Sequence, residues 1–443
     1  MKTEMNTVKV RKTEELEAEQ LGAHIGEIVR LHGSIYKIRK MSSFAFVLLR
    51  TKRQMVQCVY EPAYARFALE ELKEEACVRF TAEVIREERS RSGYDLHLLD
   101  VEILSEPEEV PPVVINQKRV NTSIENLLDY RPITLRNEKE RAVFQIQARI
   151  CQAFREFLDG QHFTEIHTPK LVAAGAEGGA ELFKVQYFDR PAYLAQSPQL
   201  YKQILMSTGL DRVYEIGPAF RAEQSNTNRH VTEFISFDGE MSWIQSQNDV
   251  MAMIEEIVDH VLRGLKERGA KQLEVLGKEI NVPARPYPIL TYSECLKMVN
   301  DAGLKLNEGD DLGTEGEKIV GDVMGQKGID LYFIAEYPEE AKPFYIMEKD
   351  GTPYSYSFDL DYRGQEVSSG GQREHRYDVL VKRMEKKGLD PEDFEFYLEA
   401  FRYGMPPHGG WGIGIERFLV KMLDLPNIRE AILFPRDPSR LEP

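Results

Sequence analysis

Residues 24–104 alternate apolar and polar positions in short runs that are bounded by turn residues. Alternation with a period of two is the pattern of a β-strand that buries one face. A helix predicted over 62–72 separates the third run from the fourth. Five strands with one interposed helix are typical of an OB-fold, a barrel that commonly binds single-stranded nucleic acid, although other small β-barrels share the pattern. The predicted strands cover residues 32–39, 44–50, 55–60, 78–86 and 94–104.

The pattern changes beyond residue 105. Residues 106–112, EPEEVPP, have the acidic and proline-rich composition of a linker. From residue 126 onward, runs with helical periodicity alternate with hairpin-like strands, and the longest helix is predicted over 138–158. The sequence therefore predicts an α+β protein with an OB-fold β-barrel over 1–105, a linker or hinge over 106–130, and an antiparallel sheet flanked by helices over 131–443.

Two predicted strands between residues 211 and 243 carry many charges. Arg221 and Glu223 share one face of the first strand, and Phe234, Asp238 and Glu240 share a face of the returning strand. Charged rows that face a common surface are costly unless a ligand fills the space between them. A nucleotide together with a zwitterionic substrate would fill it.

Three segments, in order, resemble the three motifs of the class II aminoacyl-tRNA synthetases. Residues 138–158 followed by 163–169, FTEIHTP, are similar to motif 1. The FRAE run at 220–223 with its loop and return strand resembles motif 2, and 409–417, GGWGIGIER, resembles motif 3. A lone glycine-rich strand would be a weak signal, but three motifs in the family's order are specific. The short distance between motifs 2 and 3 resembles the compact archaeal and eukaryotic type.

The resemblance implies a class II catalytic domain that joins an amino acid to tRNA through an ATP-derived adenylate. Such chemistry depends on positioning and electrostatics more than on a protein nucleophile. Arg221 and Arg417 are the implied catalytic residues, because a guanidinium can hold two oxygens of a phosphate or carboxylate at once. The implied ATP-binding residues are Arg221, Glu223, Arg229, His230, Phe234, Glu366 and Arg417.

Residues 355–373 predict a hairpin that turns at Arg363 and Gly364. With a two-residue turn, Asp361 pairs with Glu366, and Asp359 lies diagonally from Glu366 on the same sheet face. Two carboxylates on one face suit a Mg²⁺ ion that bridges ATP phosphates. By the resemblance, Asp359 and Glu366 are the metal ligands; the alternative is a pair of solvated acids.

Residues 196–202, QSPQLYK, resemble a signature of the aspartyl-tRNA synthetases. The resemblance implies that Lys202 and Arg373 clamp the side-chain carboxylate of aspartate, since a neutral amide would leave positive charge unpaired. A mobile loop that contains Glu177 would close over the substrate. Asparaginyl-tRNA synthetase is the alternative within the class, and Lys202 is the discriminating residue. The implied aspartate-binding residues are Glu177, Ser197, Gln199, Lys202, Arg221, Asp238 and Arg373.

The predicted barrel carries candidate contacts with tRNA. Arg39, Phe46 and Gln57 fall where the family's OB-fold contacts the anticodon, and an aromatic ring can stack on an unpaired base. The family often has an aromatic residue after the glycine of the first strand, but Ser34 follows Gly33 here. Because serine can neither stack nor exclude a base as a large ring would, tRNA-Asn is a candidate substrate beside tRNA-Asp. Charging of both would imply an amidotransferase partner.

Two alternatives lie outside this activity. A nucleic-acid-binding paralogue without catalysis would be expected to lose charged site residues, yet Arg221, Glu223 and Glu366 are present. An enzyme that makes free asparagine on the same catalytic fold should lack the barrel domain. Both alternatives are therefore disfavoured.

Composition narrows the setting. The net charge of −16 argues against a general polyanion binder, but residues 30–53 hold seven Lys or Arg and no acid. The four cysteines show no CxxC spacing, so neither a zinc site nor a disulfide framework is predicted. No apolar run reaches membrane-spanning length and no signal-peptide core is present, which predicts a cytoplasmic protein without membrane contact.

Motif 1 of the family forms a subunit interface, so the resemblance implies a homodimer. The helix over 138–158 offers small and apolar positions compatible with close packing between subunits. They are Ala148, Cys151, Ala153 and Phe154.

Overall fold

A computed structural model of the chain describes residues 16, 18–52, 54–90, 92–173, 182–224 and 227–442. The chain divides into two compact units, Met1–Asn121 and Thr122–Pro443. This division splits the segment 106–130, which the sequence pattern treats as a separate linker, and the predicted domain boundaries stay predictions. Among the described residues, no helix is long and apolar enough to cross a membrane.

The first unit is a closed five-stranded barrel with the strand order β1-β2-β3-β5-β4. Strands β3 and β5 pair in parallel, and the other neighbours are antiparallel. Alternate apolar side chains, such as Val47, Leu49 and Phe80, are fully buried inside it. The predicted OB-fold is confirmed. Its strands are β1 (Ile28–Lys40), β2 (Ala45–Arg50), β3 (Met55–Tyr60), β4 (Cys77–Arg86) and β5 (Tyr94–Ser105).

The helix predicted over 62–72 is wrong. This segment contains a turn and then a single 3-10 turn, Leu69–Glu71. The backbone N–H of Arg66 donates to the carbonyl of Leu99 on β5 at 2.8 Å, which removes it from any helical ladder. The Phe67 ring stacks on Phe80 of the barrel, with centroids 6.3 Å apart. Tertiary contacts therefore outweigh the helical propensity of the segment.

The second unit is built on an eight-stranded sheet with the order β12-β13-β14-β15-β16-β11-β10-β6. Its inner pairs are antiparallel and its two outer pairs, β12/β13 and β10/β6, are parallel. The predicted antiparallel sheet is thus confirmed for its six central strands. The strands are β6 (Thr164–Glu165), β7 (Leu171–Val172), β8 (Lys184–Tyr187), β9 (Arg190–Leu194), β10 (Arg212–Phe220), β11 (Glu233–Ser242), β12 (Ile289–Thr291), β13 (Leu331–Ala335), β14 (Ser357–Tyr362), β15 (Glu366–Gln372) and β16 (His408–Gly414).

Helices flank this sheet, and β7, β9 and β8 form a separate three-stranded sheet. The longest helix, α3, begins at Glu138 as predicted and is capped by the side chain of Asn137. The α-helices are α1 (Ile124–Asp129), α2 (Arg131–Thr134), α3 (Glu138–Gly160), α4 (Gln199–Leu205), α5 (Gln247–Arg268), α6 (Ala270–Leu276), α7 (Tyr292–Asp301), α8 (Gly313–Gln326), α9 (Tyr377–Lys386), α10 (Glu395–Arg402) and α11 (Ile415–Leu423).

The glycine-rich strand β16 lets one large ring sit between the sheet and α3. Trp411 is fully buried and lies directly across from Gly239 on β11, where a Cβ atom would overlap the indole. The same ring packs 6.1 Å from Phe237, which in turn stacks on Phe154 of α3 at 4.1 Å. Gly239 therefore leaves the space that the Trp411 ring occupies.

Two of the four α3 residues predicted to pack against a second subunit are buried inside this chain. Ala153 and Phe154 are buried within the core of this chain, at 1% and 0% exposure, and cannot pack against a second subunit. Ala148 is exposed and Cys151 is half-buried, so only these two of the four predicted positions face outward. Helical periodicity placed all four on the helix, but it did not distinguish its inner face from its outer face.

Candidate active site

A cavity of the second unit has a volume of about 330 Å³ and opens on the face of the sheet formed by β11, β15 and β16. Its walls also include the N-terminus of α4, the start of α11 and the segment 341–346. Most of the site residues predicted from the sequence line it. They are Ser197, Gln199, Arg221, Glu223, Arg229, His230, Phe234, Asp238, Glu366, Arg373 and Arg417.

Two predicted residues lie behind the wall instead of in it. The ammonium of Lys202 donates to Asp238 Oδ1 at 3.0 Å, and Asp359 accepts from Lys342 at 3.2 Å, while Asp238 and Lys342 themselves line the cavity. Glu177 lies outside the described residues. The structure therefore brings the predicted set together, with Lys202 and Asp359 one layer deeper than expected.

The cavity suits a polyanion. Its lining includes five permanent cations, Arg221, Arg229, Lys342, Arg373 and Arg417, against four carboxylates. The carboxylates are Glu223, Asp238, Glu366 and Glu416. Burial raises the pKa of Glu416 to about 7, although its oxygens accept a backbone N–H, so this group carries only part of a charge near neutral pH. The cations of the lining therefore outnumber its carboxylates, which favours a negatively charged ligand.

The hairpin β10–β11 supplies one wall of the cavity. Ala219 pairs with Phe234, which places the Phe234 ring beside the end of β10. The Arg221 guanidinium lies 5.4 Å from the centre of that ring, a cation–π distance. His230 reaches back toward Glu223, with 3.8 Å between the imidazole Nε2 and the carboxylate. A guanidinium, an aromatic face and a carboxylate thus adjoin, but β10 ends at Phe220, so Arg221 and Glu223 lie beyond the strand whose face they were predicted to share.

The hairpin β14–β15 turns at the predicted residues. Arg363 and Gly364 both have positive φ, 49° and 70°, as a two-residue turn requires, and Asp361 pairs with Glu366. A β-bulge follows, so Asp359 lies opposite Ser369 rather than Ser368. The bulge was not predictable from the alternation alone, because one extra residue leaves the hydrophobic pattern of β14 unchanged.

Helix α8 touches this turn through backbone atoms. A Cβ atom on Gly321 of α8 would overlap the Cα of Gly364, and a Cβ on Gly364 would meet the carbonyl oxygen of Glu317. The approach brings the Glu317 side chain near Glu366 and within 3.4 Å of Arg229. Burial and the Glu366 carboxylate raise the pKa of Glu317 to about 7.

The carboxylates on this hairpin fit a hard divalent cation. Burial and the nearby Asp359 carboxylate raise the pKa of Glu366, and a bound cation would offset the repulsion between the two acids. Asp361, behind them, has a buried Oδ1 without a hydrogen-bond partner. The described residues contain no group of three or more His, Cys, Asp or Glu arranged around a metal position. Mg²⁺ is often held by one or two carboxylates and the phosphates of its substrate, so Asp359 and Glu366 suffice.

A buried network of four charges forms the floor of the cavity. Lys202, on α4, contacts Asp238 and Glu240 at 3.0 and 3.4 Å and also donates to the carbonyl of Trp411 at 2.8 Å. Arg373 donates to both oxygens of Glu240, at 2.9 and 3.3 Å. Although burial opposes its ionisation, Arg373 and Lys202 hold the pKa of Glu240 below its usual value. The network thus sets two basic side chains, Lys202 and Arg373, against two acidic ones, Asp238 and Glu240.

Sequence reasoning missed four residues around the cavity: Lys342, Glu317, Glu416 and His408. Lys342 and Glu317 stand outside the motifs, so no local pattern singled them out. Glu416 belongs to motif 3 next to Arg417, and His408 is the first residue of β16. The available sequence signal for His408 was a single polar residue at the start of a glycine-rich strand.

In the barrel unit, the predicted tRNA contacts share the outer face of neighbouring strands. Arg39 on β1 pairs with Phe46 on β2, and Gln57 on β3 pairs with Leu48, two residues from Phe46. Phe44 adds a second ring, packed edge-on to Phe46 at 5.1 Å. Cationic, amide and aromatic side chains thus form one surface.

The motifs and the geometry agree with comparisons to known proteins. The family model of the class II tRNA synthetases (D, K and N) matches residues 123–438. An aspartate–tRNA(Asp/Asn) ligase of Methanopyrus kandleri is 46% identical over 422 residues, 94% of this chain and 96% of the relative. An aspartate–tRNA(Asp) ligase of Pyrococcus horikoshii is 44% identical over 430 residues, 94% of this chain and 97% of the relative.

A solved structure of a class II synthetase has the same fold. Asparaginyl-tRNA synthetase from Pyrococcus horikoshii, complexed with asparaginyl-adenylate, superposes with a TM-score of 0.90 at 32% identity, over 97% of this chain and 100% of that one. The chain belongs to the class II aminoacyl-tRNA synthetases of the aspartate, lysine and asparagine group. It is an enzyme of that class.

The buried network predicts a stability effect. Replacement Lys202→Met leaves Asp238 and Glu240 with one cation fewer in a dry site, so the second unit should lose about 3–5 kcal/mol of unfolding free energy. Urea unfolding followed by tryptophan fluorescence measures this, because both tryptophans, Trp243 and Trp411, lie in that unit. The exposed Lys297→Met is the matched control and should change stability by less than about 0.5 kcal/mol. Equal midpoints for the two variants would contradict the network.

Proposed function

We propose that the protein is an aspartate–tRNA ligase, which activates L-aspartate with ATP and transfers it to the 3′ end of tRNA-Asp. The charge balance around the cavity floor supports this best. The floor itself is balanced, with Lys202 and Arg373 against Asp238 and Glu240, and Arg221 on the cavity wall adds one further cation. Aspartate carries one net negative charge and neutralises the excess, whereas asparagine is neutral and leaves it unpaired.

The proposed first step joins the α-carboxylate of aspartate to the α-phosphorus of ATP, and pyrophosphate leaves. Arg221 holds the α-phosphate and the α-carboxylate together, so the reacting atoms are aligned without a protein nucleophile. Glu223 binds the adenine amino group, and Phe234 stacks on the ring. Arg229 and His230 bind the terminal phosphates. When bound, Mg²⁺ neutralises phosphate charge.

The remaining contacts complete the proposal. Arg417 covers the other face of adenine and contacts the γ-phosphate, while Asp359 and Glu366 hold the metal ion. Ser197, Gln199 and Asp238 bind the α-amino and α-carboxylate groups, and Arg373 binds the side-chain carboxylate. Since Lys202 lies behind Asp238, it acts on the substrate through that carboxylate and Glu240. In the second step, the 3′-terminal ribose hydroxyl attacks the acyl carbon and AMP leaves.

The substrate assignment has a direct test. ATP–pyrophosphate exchange should depend on aspartate, with asparagine at least about a hundredfold less effective in kcat/KM because neutral asparagine leaves the excess positive charge of the site uncompensated. Arg373→Gln should narrow this preference by lowering the activity with aspartate. Asparaginyl-tRNA synthetase is the alternative function, and the structural likeness at a TM-score of 0.90 is to such an enzyme. Exchange driven better by asparagine or by lysine would overturn the proposal.

The outer face of the barrel is the proposed anticodon surface. Arg39, Phe46 and Gln57 meet there, and Ser34 occupies the same face of β1, paired with Arg50. Ser34 provides no ring to exclude a base, so we propose that tRNA-Asn is charged as well. Relatives named for tRNA(Asp) alone and for tRNA(Asp/Asn) both resemble this chain. Charging of tRNA-Asn would require an amidotransferase, and a cytoplasmic location belongs to the same proposal.

Phe46→Ala should leave aspartate-dependent exchange unchanged and weaken charging of tRNA-Asp by about 1–3 kcal/mol in kcat/KM, the value of a lost stacking contact. The control Tyr64→Ala removes an exposed ring of the same unit, outside this surface, and should change neither reaction. The same assay with tRNA-Asn tests the relaxed specificity. A preference for tRNA-Asp of a hundredfold or more would contradict the relaxed specificity. If Phe46→Ala lowered pyrophosphate exchange as much as tRNA charging, the proposed assignment of tRNA binding to the barrel unit would be wrong.

We also propose a homodimer that uses the outward face of α3 at Ala148 and Cys151. Ala148→Arg places a charged side chain on this face and should weaken association. Sedimentation at micromolar concentration should give twice the chain mass of 51.0 kDa for the wild type and a smaller average mass for the variant. A wild-type protein that sediments only as a single chain would rule the dimer out.

A further inference from the structure

We propose that His408 and Gln203 are positioning residues that fix the amide orientation of Gln199 and, through it, the guanidinium plane of Arg373. We call Pro406, His408, Gln203, Gln199 and Arg373 the amide relay. The inference deepens the proposed function, on which it rests, because it names residues outside the cavity wall that determine the affinity for the amino-acid side chain.

The relay is a continuous row of hydrogen bonds. His408 Nδ1 lies 2.9 Å from the carbonyl oxygen of Pro406, and His408 Nε2 lies 3.0 Å from Gln203 Nε2. Gln203 Oε1 accepts from Gln199 Nε2 at 2.8 Å. Gln199 Oε1 then accepts from Arg373 Nη2 at 3.5 Å, the longest link. The four side chains are between 0% and 5% exposed, so water cannot replace a broken link.

The direction of every bond follows from the two ends. A carbonyl oxygen only accepts, so His408 Nδ1 must carry a proton toward Pro406. In a neutral imidazole Nε2 then accepts, and only the NH₂ group of Gln203 can face it. The Gln203 oxygen therefore faces the NH₂ of Gln199, and the Gln199 oxygen faces Arg373, which only donates. Reversing either amide would set two donors or two acceptors against each other.

The imidazole stays neutral in this site. Burial lowers the pKa of His408 to about 4; Glu240 opposes the shift, whereas Arg373 and His375 strengthen it. A protonated imidazole would donate from both nitrogens and would turn Gln203 round. At neutral pH the polarity of the relay is therefore determined by a backbone carbonyl, which does not titrate.

The relay holds one edge of Arg373 while Glu240 holds another. Arg373 Nε and Nη2 donate to the two Glu240 oxygens at 2.9 and 3.3 Å, and Nη2 also reaches Gln199. Gln199 and Arg373 line the cavity, whereas His408 and Gln203 do not. A reversed Gln199 would point its NH₂ group at the guanidinium, and the resulting repulsion would turn the plane that meets the substrate carboxylate.

A pair of nearly isosteric substitutions tests the relay. His408→Met offers no comparable oxygen acceptor to Gln203, whereas His408→Gln offers an amide oxygen at the end of a chain of the same length. In pyrophosphate exchange, His408→Met should raise the KM for aspartate about tenfold, with a much smaller change in kcat and in the KM for ATP. His408→Gln should recover most of the affinity. His260→Met on α5, outside the cavity lining, is the matched control and should leave both KM values unchanged.

Gln203→Met breaks the next link and keeps the inference testable should His408→Met fail to fold; it should show the same rise in the KM for aspartate. The relay is wrong if the KM for aspartate stays within twofold in the folded variants. It is also wrong if the KM for ATP rises equally, or if His408→Gln is as impaired as His408→Met.

A second readout does not depend on the substrate. In protein labelled with ¹⁵N-histidine, the signal lost in His408→Gln should be that of an imidazole protonated at Nδ1 from pH 6 to 8. An Nε2–H tautomer or a charged ring would overturn the relay. Wild-type exchange with asparagine and not aspartate would instead overturn the proposed function, and the relay would then be judged by this signal and by the KM for asparagine.

Discussion

The buried charge network of Lys202, Asp238, Glu240 and Arg373 is the interaction on which the rest of the site depends. Its members come from three elements: α4, the β11 strand and the end of β15. None exposes more than 6% of its side chain. Because an unpaired buried charge costs several kcal/mol, removing one member would leave its partners buried without a compensating charge. Helix, sheet and cavity floor are therefore mutually dependent.

The glycines of β16 make room for this network. A Cβ atom at Gly410 would overlap the Glu240 carboxylate, and a Cβ atom at Gly239, on the neighbouring β11, would overlap the Trp411 ring. The carbonyl of Trp411 also accepts from Lys202. The missing side chain at Gly410 of the glycine-rich motif thus leaves the volume that the Glu240 carboxylate occupies.

Much of the fold and most of the site were predictable from the sequence. Period-two alternation located the barrel strands and the charged face of β11, and the turn at Gly364 fixed the start of the β14–β15 register. The position of Lys202 behind Asp238 was not predictable. A motif indicates which residue type occurs at a position, but it does not show whether another side chain lies between that residue and the cavity. Phe154 shows the same limit, since a helical position does not reveal which neighbour it meets. His408 has no repeating pattern, and only its packing shows what it contacts.

The backbone contact between Gly321 and Gly364 couples the position of α8 to that of the β14–β15 turn. Where two backbones touch, no side chain between them can adjust its conformation. A tilt of α8 would therefore displace the turn that precedes Glu366. The spacing of Asp359 and Glu366, the proposed metal ligands, thus depends on the position of a helix that carries neither of them. A substitution at either glycine would therefore be expected to lower activity, although neither residue has a side chain that could contact a substrate.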